Sequence, residues 1–249
     1  MKMNNARLTA LVVSAAIASV ANANLTPYTQ NFESLNASSG SALSGNGWKI
    51  FGNVFTPSGG YIYGYGVFGA PNGGPGFSSI ASGEGGANQG SQYINIYSDY
   101  NNGDHANGNK IEANVFQEQV IGAADLGLTY KFAFDYKASS MFGPSGATKT
   151  FAFFKVLNPN TGFTMVANPT FETTMASGST WSEGNSLSIA IDNSWAGHIL
   201  QFGFVSTATN YEGSGVYYDN LSFGAVPEPA TMTVLGLSCA ALLRRRRTK

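Results

Sequence analysis

An aspartate near the end of the sequence is predicted to need an ion-pair partner or a metal ion. The segment GVYYDNLSF runs from Gly215 to Phe223. Strand periodicity puts Asp219 on the same face as Tyr217, Leu221 and Phe223, an apolar surface. A buried carboxylate is very costly unless it is paired or bound to a metal ion. The alternative is that Asp219 points outward at a twist or bulge, or caps a turn.

A metal ion is the partner that the composition favours. Residues 24–226, the body of the chain, contain six lysines and no arginine, and none of the lysines is close to Asp219 in sequence. Glu33 follows Phe32 near the start of the body, and domains often bring their two ends together. Oxygen ligands without histidine or thiolate favour calcium. The sequence therefore predicts a structural calcium site formed by Glu33 and Asp219.

Aromatic residues suggest a second kind of site, for sugars. Pyranose faces stack on aromatic rings, and tyrosine and tryptophan combine an apolar ring with a polar group. In the segment YIYGYG, strand periodicity puts Tyr61, Tyr63 and Tyr65 on one face, and Trp48 precedes them. These four residues are candidate ligand-binding residues. The alternative is that aromatic residues at this period belong to the core.

The signals for catalysis are weaker, and no catalytic residue is predicted. A glycosidase needs two carboxylates at a set separation, and the body contains thirteen acidic residues. A serine nucleophile would need His105 or His198 beside it. The loop DYNNGDHANGN offers Asp99, Asn101 and Asp104 to a hard cation, but an ordinary Asn- and Gly-rich turn is the favoured interpretation.

The charge balance of the body argues against a nucleic-acid partner. Six lysines against thirteen acidic residues give the body a net charge of −7. Without arginine the body cannot make bidentate phosphate contacts, and it has no basic patch. The single cysteine, Cys239, lies outside the body, so the body is predicted to fold without a disulfide.

Short strands are the elements that must position these residues. The segment LTYKFAFDYKA alternates, with Tyr130, Phe132, Phe134 and Tyr136 on one face. Similar runs are separated by Gly, Ser, Asn or Pro, and no sustained helical period occurs in the body. We predict an all-β fold, an antiparallel β-sandwich of the jelly-roll type, in which helix is nearly absent.

A glycine-rich region interrupts the strand pattern. Residues 59–90 contain twelve glycines, several of them between aromatic residues. Dense glycine weakens a regular strand. We predict long loops here, with one irregular strand at Tyr61–Tyr65.

The first 23 residues have the anatomy of a secretory signal peptide. Lys2 and Arg7 precede an apolar stretch, Leu8–Val20, and small residues then lead to Ala23. This order predicts a signal helix that is removed by cleavage between Ala23 and Asn24, followed by export of the body.

The last residues combine three features in a fixed order. Pro227, Glu228 and Pro229 precede fourteen uncharged residues, 230–243. The arginine cluster that follows consists of Arg244, Arg245, Arg246 and Arg247. As a helix, the uncharged segment would rise about 21 Å, short of the ~30 Å hydrocarbon core. We predict transient insertion in the inner membrane with the arginines on the cytoplasmic side, the alternative being an amphipathic helix on the protein's own core.

This tail resembles the PEP-CTERM sorting signal of exported proteins in Gram-negative bacteria that make extracellular polysaccharide. The resemblance implies processing by exosortase, a membrane-embedded cysteine protease or transpeptidase, with Pro227, Glu228 and Pro229 as the recognition element. It implies a mature protein at the cell surface or in the extracellular matrix. The chain is thereby divided into residues 1–23, 24–226 and 227–249.

The body also resembles carbohydrate-binding modules of the galactose-binding-like jelly-roll type. The resemblance rests on QNFESL near its start and GVYYDNLSF near its end. In that family the opening glutamate and the final-strand aspartate are calcium ligands, which implies Glu33 and Asp219 here. We favour an exported, non-catalytic surface or matrix protein that binds polysaccharide. The alternative is a secreted glycan-active hydrolase or lyase, for which an acidic pair in a groove would be the mark.

Overall fold

A computed structural model describes residues 25–73, 77–98, 103–209 and 212–227. Within these residues two antiparallel sheets form. Sheet A contains β1 (Tyr28–Gln30), β4 (Ser78–Ser82), β5 (Gln92–Ile96), β7 (Thr129–Ala138), β11 (Ser182–Ala190) and β13 (Val216–Ala225). Sheet B contains β2 (Lys49–Phe55), β3 (Tyr61–Gly69), β6 (Lys110–Val120), β8 (Lys149–Asn158), β9 (Thr164–Ala167), β10 (Thr170–Glu172) and β12 (Ile199–Ala208).

The order of strands puts β13 at the centre of sheet A and β12 at the centre of sheet B. Sheet A runs β11-β7-β13-β5-β4, with β1 also paired to β13. Sheet B runs β10-β8-β12-β6-β2-β3, with β9 also paired to β8. The predicted all-β antiparallel sandwich is confirmed. In the described part of the chain, helix is limited to α1 (Gly103–Ala106) and the 3-10 turns Ser44–Asn46, Ala123–Asp125 and Pro159–Thr161.

Aromatic side chains fill the space between the sheets. Phe132 and Phe134 of β7 face Phe202 and Phe204 of β12, with ring centroids 5.3 Å apart for Phe132–Phe202 and 5.6 Å apart for Phe134–Phe204. Such offset and edge-on pairs add to the stabilisation from burial alone. The alternation predicted for β7 is therefore correct. The other face of this strand carries Lys131, Asp135 and Lys137.

The glycine-rich region is more regular than predicted, because β3 extends over nine residues and β4 follows it. The glycines let β3 lie close to β2. A side chain at Gly64 would come within 2.7 Å of the Phe51 ring. Gly66 has a φ of 118° and a Cβ there would lie 2.7 Å from the Ile50 carbonyl oxygen. Glycine at these positions therefore allows β3 to pair with β2 over a longer stretch than the irregular strand predicted at Tyr61–Tyr65.

The two predicted terminal helices fall outside the described residues. They are the signal segment 1–23 and the uncharged segment 230–243. The cleavage residue Asn24 and the arginine cluster also lie outside the described residues. Within the described residues no helix has the length and apolarity needed to cross a membrane.

Candidate functional site

Asp219 lies on the opposite face of β13 from the one predicted. The register between β13 and β7 shifts between Asp219 and Ser222, and Asn220 has a φ of 51°. This bulge changes the alternation, because an extra residue on one strand moves the following side chains to the other face. The core-facing residues of β13 are therefore Val216, Tyr218, Leu221 and Phe223. The bulge named in the alternative is therefore present, and Asp219 lies on the face of β13 that points away from the core.

Asp219 is nevertheless buried, with 1% of its surface exposed. Its Oδ1 atom has no hydrogen-bond partner within the described residues. Burial, together with the charges of Asp135 and Glu33, raises the pKa of Asp219 to about 7, and the Asn220 backbone N–H only partly opposes this rise. A carboxylate in these surroundings lacks a compensating positive charge.

Two other carboxylates, Asp135 and Glu33, act on Asp219 through their charges. Asp135 is directly opposite it in the β7–β13 register, and its oxygens accept hydrogen bonds from the Gln89 side chain at 2.9 Å and the Gly184 backbone at 2.8 Å. Glu33 accepts hydrogen bonds from the backbone N–H groups at residues 91 and 92, both at 2.6 Å. The pairing of β1 with β13 thus brings the beginning of the body to its last strand, as the sequence predicted.

The donor atoms in this region fit a hard cation. Besides Asp219 Oδ1, the Gln89 Oε1 atom is buried without a partner in the described part of the chain. The backbone is left-handed at Phe32 (φ 59°) and Asn220 (φ 51°), which adjoin Glu33 and Asp219. Such strain in non-glycine residues is concentrated at functional sites. The described residues contain no group of three His, Cys, Asp or Glu placed to hold a metal.

The four predicted sugar-contacting aromatic residues do not form one platform. Trp48 is fully buried in the core, so its ring is inaccessible to a ligand. The β2–β3 register shifts between Val54 and Phe55. Tyr61 consequently lies against Phe55, on the outer side, with the ring centroids 5.9 Å apart.

Tyr63 and Tyr65 differ from Tyr61 in their surroundings. Tyr65 packs over Gly52 and against Phe77, with ring centroids 5.6 Å apart in the latter pair. Tyr63 is 42% exposed and its hydroxyl donates a hydrogen bond to Asp104 in α1. Strand periodicity had put the three rings on one face. The ring centroids of Tyr63 and Tyr65 are indeed 6.0 Å apart, but the register shift separates Tyr61 from them.

A groove of about 1100 Å³ lies on the outer face of sheet B. Its floor includes Phe51 of β2 and Phe116 of β6, which belong to an apolar cluster outside the main core. Its rim carries exposed apolar side chains: Phe68 is 51% exposed and Phe163 is 58% exposed. A concave surface lined by apolar and aromatic side chains is the usual form of a small-molecule site.

Phe163 has an unusual backbone. It follows β8 and a 3-10 turn, and its N–H donates to the Asn158 carbonyl oxygen at 3.0 Å. Its φ of 61° is in the left-handed region, where a bulky side chain is rare. The turn therefore holds a large exposed ring at the edge of the groove at a cost in backbone strain.

Polar side chains lie between the rings of the groove and are bound to one another. Lys155 Nζ donates to Asn114 Oδ1 at 2.6 Å and is 3.6 Å from Glu112 Oε1. Asn53 Nδ2 also donates to Glu112, at 3.0 Å. Burial raises the pKa of Glu112, but the charge of Lys155 and the amide hydrogen bonds outweigh it and lower that pKa overall. This network is therefore preorganised, with Glu112 held in its charged form.

A second polar group lies at the other end of the groove. Lys49 Nζ is 2.9 Å from Glu118 Oε1, and Gln201 Nε2 donates to Glu118 Oε2 at 2.8 Å. Glu112 and Glu118 are six residues apart on β6, so they are separated by about 20 Å along the strand. Glycosidases need carboxylates roughly 5 to 9.5 Å apart. The acidic lining residues of this groove do not meet that requirement.

A serine and a histidine do meet in the structure, but within the interior. Ser98 Oγ is 3.1 Å from His105 Nε2, and His105 Nδ1 is 2.9 Å from the Thr209 carbonyl oxygen. Both Ser98 and His105 are fully buried. A carbonyl acceptor fixes the N–H at Nδ1, so Nε2 accepts from the serine. Because no substrate could reach the serine, the pair ties α1 to the sandwich and is not a nucleophile.

Glu84 lies in the loop between β4 and β5 and connects this loop to the outer face of sheet A. Its carboxylate accepts from Ser140 Oγ at 2.7 Å and Tyr217 OH at 3.0 Å, and it is 2.9 Å from Lys137 Nζ. Burial raises the pKa of Glu84, but these donors outweigh it and lower the pKa to about 2. Sequence patterns do not reveal this cluster around Glu84, because its partners lie more than 50 residues away in the chain.

The Glu84→Gln variant is expected to be less stable than the wild type by about 2 kcal/mol at pH 6. The pKa of Glu84 is depressed in the folded state, so its contribution is present above about pH 4.5 and is lost as the pH falls through about 2. Urea unfolding at several pH values would measure this. Glu172→Gln removes the same charge at an exposed pair and serves as control. A gap between Glu84→Gln and wild type that stays constant down to pH 2 would contradict the assignment.

Comparison with known proteins identifies the last part of the chain. A family model for the PEP-CTERM protein-sorting motif matches residues 225–247. The chain carries a PEP-CTERM motif. This confirms the resemblance of the tail and indicates an exported protein that a sorting system processes. The PEP-CTERM motif begins at Ala225, which is also the last residue of β13. No curated protein sequence matches the chain.

Three solved structures illustrate what the chain is similar to, each at 13% identity. The enzymatically active domain of tailspike protein 4 from bacteriophage CBA120 has a TM-score of 0.43 and covers 78% of this chain. This chain spans only 21% of that protein. A family 16 carbohydrate-binding module has a TM-score of 0.37, with 61% of this chain and 86% of that one covered. A xylan-binding domain of family 22 has a TM-score of 0.38, with 80% and 93% covered.

Carbohydrate-binding modules with β-sandwich folds predominate among the similar structures, although enzymes also occur. The identities and TM-scores are low, so these likenesses carry no argument about the function of this chain. That argument depends on the geometry of its own sites.

Proposed function

We propose that the body is a non-catalytic, glycan-binding domain of an exported protein, with the groove of sheet B as its binding site. The observation that carries this proposal is the groove itself, with aromatic rings in floor and rim and a preorganised polar network between them. Rings stack on sugar faces, while amide and carboxylate groups orient the hydroxyls. The spacing of Glu112 and Glu118 disfavours the alternative of a glycan-active hydrolase.

A glycan array tests this function. The exported protein is expected to be retained on one or more polysaccharides and to release no reducing sugar or unsaturated product from them. Measured release of sugar would favour the hydrolase or lyase. Absence of retention on every glycan would overturn the binding proposal.

We also propose that calcium binds at Glu33 and Asp219, with Asp135 and the Gln89 amide oxygen nearby. When bound, the ion would supply the positive charge that these carboxylates lack. Calcium accepts six to eight oxygen ligands in flexible arrangements, so carbonyl oxygens and water can complete the set. The role is structural, because the site joins β13 to the segment that follows β1.

For processing, we propose cleavage between Ala23 and Asn24 and recognition of Pro227, Glu228 and Pro229 by an exosortase-type membrane protease. The segment 230–243 with Arg244–Arg247 would hold the chain transiently in the inner membrane of a Gram-negative bacterium. The mature protein would then reside at the cell surface or in the matrix. Intact-mass measurement on the exported protein tests both cleavages, because a mass that retains both ends would refute them.

A further inference from the structure

The charged side chains that line the groove are mutually paired. Lys49 is bound to Glu118 at 2.9 Å, and Lys155 contacts Asn114 at 2.6 Å and Glu112 at 3.6 Å. Among the described lining residues these two lysines and two glutamates carry the charge, so the lining is electrically neutral. A ligand therefore meets no cation that lacks a partner.

The carboxylates of Glu112 and Glu118 keep hydrogen-bond acceptor capacity in the groove, in addition to the bonds that they already accept from the protein. The side-chain amide donors of Asn53, Asn114 and Gln201 are each directed at a protein carboxylate. Carboxylates have about four lone-pair sites, so Glu112 and Glu118 can still accept hydrogen bonds from a ligand. Sugar hydroxyls donate and accept, whereas the carboxylate of a uronic acid only accepts.

A uronate would also have to compete with an existing pair. Binding it through Lys155 would draw the cation away from Glu112, whose side chain is 25% exposed. Leaving a largely buried carboxylate without its partner is strongly unfavourable. The net charge of −7 on the body repels a polyanion as well.

From this pairing we infer that the groove selects neutral polysaccharide and rejects polyuronate. The inference rests on the proposed glycan-binding function and names its ligand class. It assigns to Glu112 and Glu118 the role of specificity determinants that accept from sugar hydroxyls and neutralise the two lysines.

Affinity electrophoresis through gels that contain either neutral polysaccharides (xylan, β-glucan, galactan) or polyuronates (alginate, polygalacturonate) tests the inference. The wild type is expected to bind at least one neutral polymer at least about tenfold more tightly than either polyuronate. Glu118→Gln frees Lys49 and is expected to narrow this preference by several-fold. Glu172→Gln removes the same charge from the Lys149 pair outside the groove and is expected to leave the preference unchanged.

The results separate the two proposals. Tighter binding to polyuronate that Phe163→Ala abolishes would overturn the selectivity while supporting the groove. If Glu118→Gln and Glu172→Gln change the preference for neutral polymer by the same factor, the Lys49–Glu118 pair does not determine the selectivity. Retention on neither class would overturn the glycan-binding function, and the selectivity with it.

Discussion

Removal of calcium is expected to lower the melting temperature of the body by about 5 to 10 °C. A ligand at 100 times its dissociation constant stabilises the folded state by about 2.7 kcal/mol. For a domain of about 200 residues, each kcal/mol corresponds to about 2–4 °C. The effect arises because Asp219 Oδ1 is buried without a partner in the described structure, opposite a second carboxylate. Thermal melts in chelator and in millimolar calcium would measure it.

Two variants identify the site. Asp219→Asn is expected to melt at the same temperature in chelator and in calcium. At pH 8 in chelator it should melt above the wild type, because it removes an uncompensated buried charge. Asp192→Asn removes the same charge at an exposed turn and should keep the full calcium response. A wild type whose melting temperature does not differ between chelator and calcium would show that no structural calcium site exists.

Phe163→Ala is expected to weaken glycan binding by at least about tenfold, equivalent to 1.4 kcal/mol. The ring is 58% exposed at the rim of the groove and would lose its stacking contact. Stability should stay within about 1 kcal/mol of the wild type, because the side chain is exposed. Isothermal titration with a glycan retained on the array gives the first quantity, and urea unfolding gives the second.

Phe142→Ala is the matched control for this variant. Phe142 is 64% exposed and is not among the residues lining the groove, so its replacement should leave affinity unchanged. Equal affinity of Phe163→Ala and wild type would remove the rim from the binding site. If Phe163→Ala is less stable than the wild type by several kcal/mol, the Phe163 ring supports the fold instead.

The sequence was sufficient for the fold because periodicity is a local property. Alternation in β7 correctly separated Phe132 and Phe134 from Asp135. Periodicity did not predict two local irregularities. These are the bulge at Asn220 and the register shift between Val54 and Phe55. Each moved a candidate residue to another face, which is why Asp219 and Tyr61 were misplaced. A bulge depends on pairing with the neighbouring strand, so single-strand patterns do not reveal it.

The groove could not be predicted for a different reason. Its lining comes from β2, β3, β6, β12 and the β8–β9 region, which are adjacent only after the sheet forms. Phe51 and Phe116 are 65 residues apart in the chain yet share one floor. The alternation of β6 was a usable signal, because Glu112, Asn114 and Phe116 all face away from the core. Knowing which strands adjoin β6 required the structure.

The central place of β13 constrains when the protein can fold during export. This strand pairs with β7, β5 and β1, so sheet A is closed by a segment that lies near the end of the chain. A chain that crosses a membrane from its N-terminus would deliver β1 first and β13 almost last. Pairings between such distant segments form slowly. Sheet A would thus be completed only when β13, residues 216–225, arrives, which couples the late stage of translocation to the gain of structure.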